Sequence, residues 1–506
     1  MDMKFDPYVL LGLSRSASSE DIKRVYHRLA QRLHPDKNRL ASAARQFQDI
    51  SLAYNLLSDP IARRQIDEIA SKNNGQNEDL YFTLRVTPSK RAVMPLDEDQ
   101  VVYMLAEISA PPQVSSVPKQ EARLNICLVL DVSKSMKGPR IDRVKVAAQK
   151  IIQDLNPQDF ISVVTFNDRA TVIIPATATE DKTALRARIS MISASGSTEI
   201  YQGLKTGYDE IRKNISPRLV NHIILLTDGH TFGDQEACFA LAKEAYEHGV
   251  AITAMGLGSD WNDEFLDTLA SSTGGTSMYI SSTEVVVKYL NEHVRALSNA
   301  FAERMELVVA PDPDITLEMA FKLSPNPQPL DINDGIIPLA SLQVNRPIAV
   351  LLQLQIPGRM KTGFRTFARL VAAGDILKNR QPSFQAVSDF SIDVNPTPSY
   401  EEPPSVIMDA LSKLTLYRIQ EKARADLEAG RIEEATRRLE NLATRLYEIG
   451  EPSLAQQALS EAQNVIKTRS FSEVGKKTIK YETRALMGQG GLRAALSSLL
   501  SPEEES

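Results

Sequence analysis

Between residues 123 and 258, short apolar runs alternate with amphipathic helical stretches, and this alternation constrains the fold more than any other feature of the chain. Stretches such as IDRVKVAAQKIIQDL (141–155) and EACFALAKEAYEHG (236–249) separate the apolar runs. Strands that are joined by helical crossovers run parallel, and helices bury a parallel sheet on both faces. We therefore expect an α/β domain with these strands: NICLVL (125–130), ISVVTF (161–166), HIILLT (222–227) and VAITAMGLG (250–258).

Five oxygen-bearing side chains follow these predicted strands or lie between them. Asp131, Ser133 and Ser135 come directly after NICLVL, and Asp228 follows HIILLT. Thr198 lies in the polar loop ASGSTEI. Ligands of open α/β sheets collect beyond the carboxyl ends of the strands, and hard oxygen donors bind magnesium, manganese or calcium in preference to zinc. We expect a divalent cation here, with Mg²⁺ as the first choice, Mn²⁺ or Ca²⁺ as alternatives, and one coordination position left for an outside ligand.

The pattern resembles the metal-ion-dependent adhesion site of von Willebrand factor A domains. The resemblance covers roughly residues 120–300 and implies a Rossmann-like fold. It also implies that the first aspartate, both serines and the threonine approach the metal, that Asp228 acts directly or through water, and that an acidic group of a partner protein completes the coordination. The motifs that carry it are DVSKS (131–135), Thr198 in GSTEI and TDG (227–229). GSTEI departs from the glycine pair that often precedes the threonine.

Two alternatives to a metal site stay open at this point. The same residues could form a polar turn of a metal-free domain. A serine hydrolase is a weaker alternative, because no G-x-S-x-G elbow surrounds Ser133 or Ser135. We expect the chain not to be an enzyme.

The first 70 residues predict a pair of amphipathic helices. They are SSEDIKRVYHRLAQRL (18–33), which opens with a serine cap, and SAARQFQDISLAYNLLS (42–58). The turn between them holds His34, Pro35 and Asp36. On its own, this tripeptide would be interpreted as an ordinary turn without a function. Together with DPYVLLGL (6–13) and DPIARRQID (59–67), however, the segment resembles the J domain of DnaJ-type co-chaperones over residues 5–68.

This second resemblance implies a docking surface for a DnaK-type chaperone and stimulation of its ATPase. The His-Pro-Asp turn would be the key loop, and positive charge on the preceding helix would steer an acidic surface of the chaperone. A solvated helix face is the alternative interpretation of that charge. The basic residues in question are Lys23, Arg24, Arg28 and Arg32. Ile66 stands where the family commonly has tyrosine.

The remaining chain predicts a β domain and a helical region. Strand-like stretches on both sides of the α/β unit resemble bacterial proteins in which a von Willebrand A domain is inserted in a β-sandwich. We expect the C-terminal helices to form a packed module or a self-association surface, with peptide binding as a further alternative. The predicted boundaries are 1–70 for the J domain, 71–79 for a linker, 80–120 and 303–396 for the β-sandwich, 121–302 for the A domain, 397–405 for a proline-rich linker and 406–506 for the helices.

Composition narrows the class of protein. The formal net charge of −6 argues against general nucleic-acid binding. No apolar run approaches the roughly 20 residues that span a bilayer, and the N-terminus does not resemble a secretory signal. We expect a cytoplasmic co-chaperone or adaptor that stimulates a DnaK-type chaperone and binds a protein partner through a divalent metal. The alternative is a metal-dependent scaffold without chaperone coupling.

Overall fold

The computed structural model describes residues 5–73, 80–112, 121–229, 233–379 and 382–488. The helix that spans residues 19–33 begins with a capping box, in which Ser18 Oγ accepts from Asp21 N at 3.1 Å and the Asp21 carboxylate accepts from Ser18 N at 3.2 Å. The two long helices form the predicted hairpin, and Tyr26 stacks on Tyr54 across it at 4.2 Å between ring centroids. The helices are α1 (Pro7–Leu11), α2 (Ser19–Leu33), α3 (Ala41–Ser58) and α4 (Pro60–Asn73).

Two antiparallel sheets form a sandwich from chain segments on both sides of the α/β unit. The first sheet contains, in spatial order, β1 (Thr83–Pro88), β3 (Gln100–Ser109), β14 (Ile348–Ile356), β11 (Thr316–Ser324) and β12 (Gln328–Leu330). The second contains β13 (Ile336–Gln343), β10 (Ala300–Pro311), β15 (Gly363–Ile376), β16 (Ser383–Val394) and β2 (Ala92–Val93), of which β2 pairs with β16 in parallel. Because β3 pairs with β14, for example Ala106 with Val350, the predicted insertion is confirmed.

The inserted unit is an α/β domain. Its strands are, in spatial order, β6 (Ala170–Ala178), β5 (Phe160–Phe166), β4 (Leu124–Asp131), β7 (Val220–Thr227), β8 (Ala251–Leu257) and β9 (Ser277–Ile280). Its helices are α5 (Pro139–Asp154), α6 (Lys182–Ser190), α7 (Ile200–Arg212), α8 (Gln235–Glu247), α9 (Asp263–Ser271) and α10 (Val286–Ser298). Along β4, Ile126 and Leu128 face the core under α5, while Cys127 and Val129 face the core under α7. This alternation explains why the whole strand is apolar.

One strand departs from the parallel sheet that the sequence predicts. β6 pairs with β5 in the antiparallel direction. Three residues, 167–169, join these strands, and a link of that length forms a hairpin but cannot make the crossover that parallel strands need. The other pairs of neighbouring strands in this sheet are parallel.

The C-terminal helices contact the sandwich and the α/β domain. They are α11 (Ser405–Glu428), α12 (Ile432–Glu448), α13 (Pro452–Thr468) and α14 (Glu473–Gly488). Ile407 and Leu414 of α11 share a core cluster with Phe321 of the sandwich. In α14, buried Arg484 donates to Asp267 Oδ2 of the α/β domain at 2.8 Å. No helix among the described residues is long and apolar enough to cross a membrane.

The N-terminal helices dock on the second sheet of the sandwich. Asn38 Nδ2 donates to Pro311 O at 2.8 Å, and fully buried Arg369 donates to Leu10 O and pairs with Asp389. These contacts bury polar groups in satisfied hydrogen bonds, which fixes the position of the helices on the sheet.

Three predicted boundaries change in the structure. The linker predicted at 71–79 begins as helix, because no glycine or proline interrupts α4 before Gly75, while residues 74–79 lie outside the described residues. The sandwich resumes at Ala300, three residues before the predicted 303, because β10 extends back to the end of α10. The helical region begins at Ser405, one residue before the predicted 406, and its last residues, 489–506, lie outside the described ranges.

A carboxyl group is buried inside the sandwich. Glu303 of β10 is 4% exposed and lies opposite Asp375 of β15. Burial, with a smaller contribution from the Asp375 charge, raises the pKa of Glu303 to about 8, although the neighbouring Arg304 acts to lower it. Glu303 is therefore largely protonated at neutral pH in the folded protein.

Candidate functional site

Carboxylates and hydroxyls meet at the carboxyl ends of β4 and β7, as the sequence predicts. We call Asp131, Ser133, Ser135, Thr198 and Asp228 the oxygen cluster. Ser133 Oγ lies 2.9 Å from Ser135 Oγ, and Ser135 Oγ donates to Asp228 Oδ1 at 2.7 Å. The loop after β4 therefore places both serines within hydrogen-bonding reach of the residue that follows β7.

Asp131 is held in place on both of its oxygens. Ser133 N donates to Oδ1 at 2.8 Å, and Thr227 Oγ1 donates to Oδ2 at 2.6 Å. Burial raises the pKa of Asp131, the hydrogen bonds from Thr227 and Ser133 act against that rise, and the Asp228 charge adds to it. Two carboxyl groups in one buried site favour a bound cation. Sequence reasoning missed this role of Thr227, although the residue stands in the TDG motif.

Thr198 lies beside Gly229, in a loop that is hydrogen-bonded to the segment after β4. Ser195 N donates to Val132 O at 2.6 Å, and the loop turns at Gly196, where φ is +85°. Thr198 is buried, and a Cβ built on Gly229 would lie 3.4 Å from its hydroxyl oxygen. The structure thus places Thr198 beside the residue that follows Asp228.

An arginine that the sequence reasoning did not include joins the cluster. Arg140 lies in the first turn of α5, and its Nη1 forms an ion pair with Asp228 Oδ2. The same nitrogen lies 3.4 Å from Ser135 O. One oxygen of Asp228 therefore interacts with a serine hydroxyl and the other with a guanidinium group. A basic residue in the first turn of the helix that follows the DxSxS loop is the sequence signal that could have indicated this contact.

The donors of the oxygen cluster fit a hard divalent cation. Among the described residues, no group of three or more His, Cys, Asp or Glu side chains could hold a metal ion. The oxygen cluster is not a group of that kind, because it combines only two carboxylates with three hydroxyls. Carboxylate and neutral oxygen donors are those that Mg²⁺ and Ca²⁺ take, and Mg²⁺ in particular uses few protein carboxylates. The Arg140 guanidinium occupies Asp228 Oδ2, so a cation would have to share that carboxylate or displace the arginine.

The predicted His-Pro-Asp loop is at the surface. His34 ends α2, and Asp36 N donates to His34 Nδ1 at 3.2 Å. The His34 ring packs edge-on against Phe47 of α3, with 5.2 Å between ring centroids. Pro35 is exposed, and the Asp36 side chain is 88% exposed. The loop is thus anchored on one side by an aromatic contact and open to a partner on the other.

Comparisons with known families match three parts of the chain. A DnaJ domain model matches residues 6–67, a von Willebrand factor type A domain model matches 125–293, and a model of an Sll0103-like C-terminal alpha-helical domain matches 405–489. The chain contains a DnaJ domain and a von Willebrand factor type A domain. The J domain is therefore the N-terminal helices, and the A domain is the inserted α/β unit.

Relatives support this division. An uncharacterized protein of Synechocystis, sll0103, is 31% identical over 241 residues, which are 46% of this chain and 57% of that protein. Chaperone protein DnaJ 2 of Mycobacterium leprae is 54% identical over 65 residues, 13% of this chain and 17% of that protein. The alignments thus span less than two thirds of either relative. A von Willebrand factor type A structure from Catenulispora acidiphila has a TM-score of 0.66 at 13% identity, covering 81% of this chain and 98% of that chain. At that identity the likeness shows the fold alone.

The four basic residues that the sequence predicts as a docking face of the J domain differ in their exposure. Lys23, Arg24 and Arg28 on α2 are exposed. Arg32 lies in the interface with the sandwich, where its Nε donates to Asp312 Oδ1 at 2.8 Å. Three of the four basic residues are therefore exposed, although Arg24 also pairs with Asp21 on the same helix at 2.5 Å, while Arg32 is held against the sandwich.

Proposed function

We propose that the chain is a cytoplasmic, non-enzymatic adaptor that couples a DnaK-type chaperone to a protein partner. The J domain recruits the chaperone and stimulates its ATP hydrolysis, and the A domain binds the partner through a divalent cation. The observation that carries this proposal is the exposed loop of His34, Pro35 and Asp36 at the end of a basic helix. The likeness of the J domain to DnaJ chaperone proteins supports the co-chaperone role.

The mode of J-domain docking supports access for a chaperone. The contacts with the sandwich come mainly from α1 and α3, while Lys23, Arg24 and Arg28 of α2 stay in solvent. Clustered positive charge accelerates encounter with an acidic surface, and this effect weakens as salt increases. A chaperone can therefore approach α2 and the loop without displacing the J domain from the sandwich.

The oxygen cluster supports cation-dependent binding of a partner. Von Willebrand A domains often bind a divalent metal at such a site, and here Mg²⁺ is the proposed ion. Asp131 and Asp228 would supply negative charge, and the three hydroxyls would supply neutral oxygens. When bound, the cation would attract a carboxylate of the partner. Ser133 N and Thr227 Oγ1 keep Asp131 oriented, which reduces the rearrangement that cation binding requires.

The first experiment tests chaperone coupling. His34→Gln should abolish stimulation of single-turnover ATP hydrolysis by the DnaK-type chaperone of the same cell, because it removes the ring that Phe47 and the Asp36 amide hold at the loop. Thr198→Ala is the matched control and should stimulate as the wild type does. Circular dichroism checks that both variants are folded. Equal stimulation by the wild type and His34→Gln contradicts the chaperone role.

The second experiment tests recognition of the partner. Proteins captured from the native cell with magnesium should be released by chelator and recovered poorly with Thr198→Ala, while His34→Gln should still capture them. Loss of capture only in His34→Gln would show that recognition runs through the chaperone, and the proposed division between the two domains would then be wrong.

A metal-dependent scaffold without chaperone coupling is the second candidate. The Arg32–Asp312 pair favours it, because this pair holds one basic residue of α2 against the sandwich. Under this alternative, partner capture would depend on the metal while the wild type would give no stimulation of ATP hydrolysis.

A further inference from the structure

A cavity of about 550 Å³ lies between the A domain and the sandwich. The A domain contributes residues of β7, β8 and α10, and the sandwich contributes residues of β11 and β13. His222 lines the cavity near the start of β7, whereas Asp228 follows the end of the same strand. Six residues of strand separate these positions by roughly 20 Å. The cavity is thus distinct from the oxygen cluster.

Lys322 of β11 is the unusual residue of this cavity. It is 2% exposed, and its Nζ donates to Gly274 O over a long 3.4 Å. An ammonium group has three donors, and this contact uses one of them. No carboxylate of the described residues forms an ion pair with Lys322, and burial alone lowers the pKa of its ammonium group to about 8. A buried cation without a counter-ion is costly, so an anion at this position would stabilise the fold.

The rest of the lining adds polar and positive groups. Asn326 Nδ2 donates to Thr276 Oγ1 at 3.1 Å, and His222 Nε2 shares a hydrogen bond of 2.8 Å with Thr253 Oγ1. Apart from its histidines, the lining contains one carboxylate and three basic side chains. One of the basic side chains, Arg295, also pairs with Asp154 at 3.2 Å. The lining therefore carries an excess of positive charge. Its charged members are Glu292, Arg295, Lys322 and Arg346.

We propose that this cavity binds a small organic anion whose phosphate or carboxylate group pairs with Lys322. The volume falls in the range of about 300–1,000 Å³ that is common for small-molecule sites. A lysine ammonium is a compact point charge, which suits either anionic group. Because the cavity walls come from both domains, the bound anion contacts the A domain and the sandwich together. This site is independent of the proposed metal site.

The test uses the full chain in chelator, with inorganic phosphate and citrate as separate probes at constant ionic strength. Calorimetry measures affinity, and thermal unfolding measures stability. Both methods compare the wild type with Lys322→Met. Lys361→Met, which removes an exposed lysine of the sandwich, is the matched control. At least one probe should raise the Tm of the wild type and of the control, and Lys322→Met should bind that probe at least about tenfold more weakly, because a charge-assisted hydrogen bond is lost.

The Tm measured without added anion distinguishes a lysine that binds a ligand from a lysine that stabilises the fold. If Lys322 serves an anion, Lys322→Met should have a higher Tm than the wild type in the absence of probe, because a desolvated charge is gone. A response to phosphate alone assigns a phosphate group, and a response to citrate alone assigns carboxylates. If neither probe binds the wild type, or if Lys322→Met responds as the wild type does, the proposal is wrong. Lys322→Gln provides the same comparison if Lys322→Met does not fold.

Discussion

Arg140→Gln should increase the affinity of the A domain for divalent cations. The guanidinium group of Arg140 pairs with Asp228 Oδ2, and a bound cation has to share that carboxylate or displace the arginine. A hydrogen bond between charged groups contributes about 1.5–3 kcal/mol. The Arg140 side chain is 32% exposed, so solvent weakens the pair, and we take the lower value. About 1.5 kcal/mol corresponds to roughly tenfold tighter cation binding.

The assay is calorimetric titration of the full chain with Mg²⁺ and, separately, with Mn²⁺. Arg143→Gln is the matched control, because it removes the same charge from an exposed position on the same helix. The control separates loss of the direct ion pair from the general change in charge near the cluster. Arg143→Gln should change the affinity much less than Arg140→Gln does.

Weaker cation binding in Arg140→Gln would refute this reasoning. It would mean that the guanidinium group positions Asp228 for the cation instead of competing with it. Equal increases in Arg140→Gln and Arg143→Gln would also refute it, because the effect would then come from net charge alone.

Three further predictions concern other contacts. The wild type should lose stability as the pH rises from 4.5 to about 8, because Glu303 ionises near 4.5 in the unfolded chain while its pKa in the folded protein is raised to about 8. Glu303→Gln should remove this loss, which denaturant unfolding across the pH range measures; parallel pH profiles of the two proteins would contradict it. Asp267→Asn should destabilise the protein by about 3 kcal/mol, because buried Arg484 loses its carboxylate partner; an unchanged midpoint in urea would contradict it. Asp312→Asn should lower the half-maximal concentration for ATPase stimulation by up to about fivefold, because an ion pair of about 1 kcal/mol is lost and Arg32 keeps only the longer pair with Asp389, at 4.0 Å; an unchanged concentration would contradict it.

Local signals in the sequence predict the helices and the oxygen cluster. Ser18 and the acidic residue three positions later predict the start of α2, and this contact depends only on neighbouring residues. Asp131 and Asp228 each follow an apolar strand, and parallel strands bring their carboxyl ends to one edge of the sheet. The pattern therefore predicts the meeting of these carboxylates without any knowledge of side-chain packing.

Contacts between distant segments could not be predicted in this way. The partner of Arg32 lies 280 residues further along the chain, and no periodic pattern connects the two positions. β6 was missed for a different reason. As the edge strand of its sheet, it has several exposed residues, so the strong apolar signal of β4 or β7 is absent there. Arg140 belongs to a helix whose apolar face the sequence predicts, but its pairing with Asp228 depends on how that helix sits against β7.

The way the A domain joins the sandwich determines where a metal-bound partner would lie. The chain enters the A domain before Leu124 and leaves it after Ser298, and the two connections are adjacent, since Ala122 N donates to Ser298 O at 2.8 Å. Both connections are therefore at the amino end of β4, and the oxygen cluster is at its carboxyl end. Eight residues of strand span roughly 25 Å. A partner held at the cluster would thus lie on the side of the A domain away from the sandwich, where it would not compete with the J domain for the sandwich surface. This separation is what an adaptor needs in order to hold a partner and a chaperone at the same time.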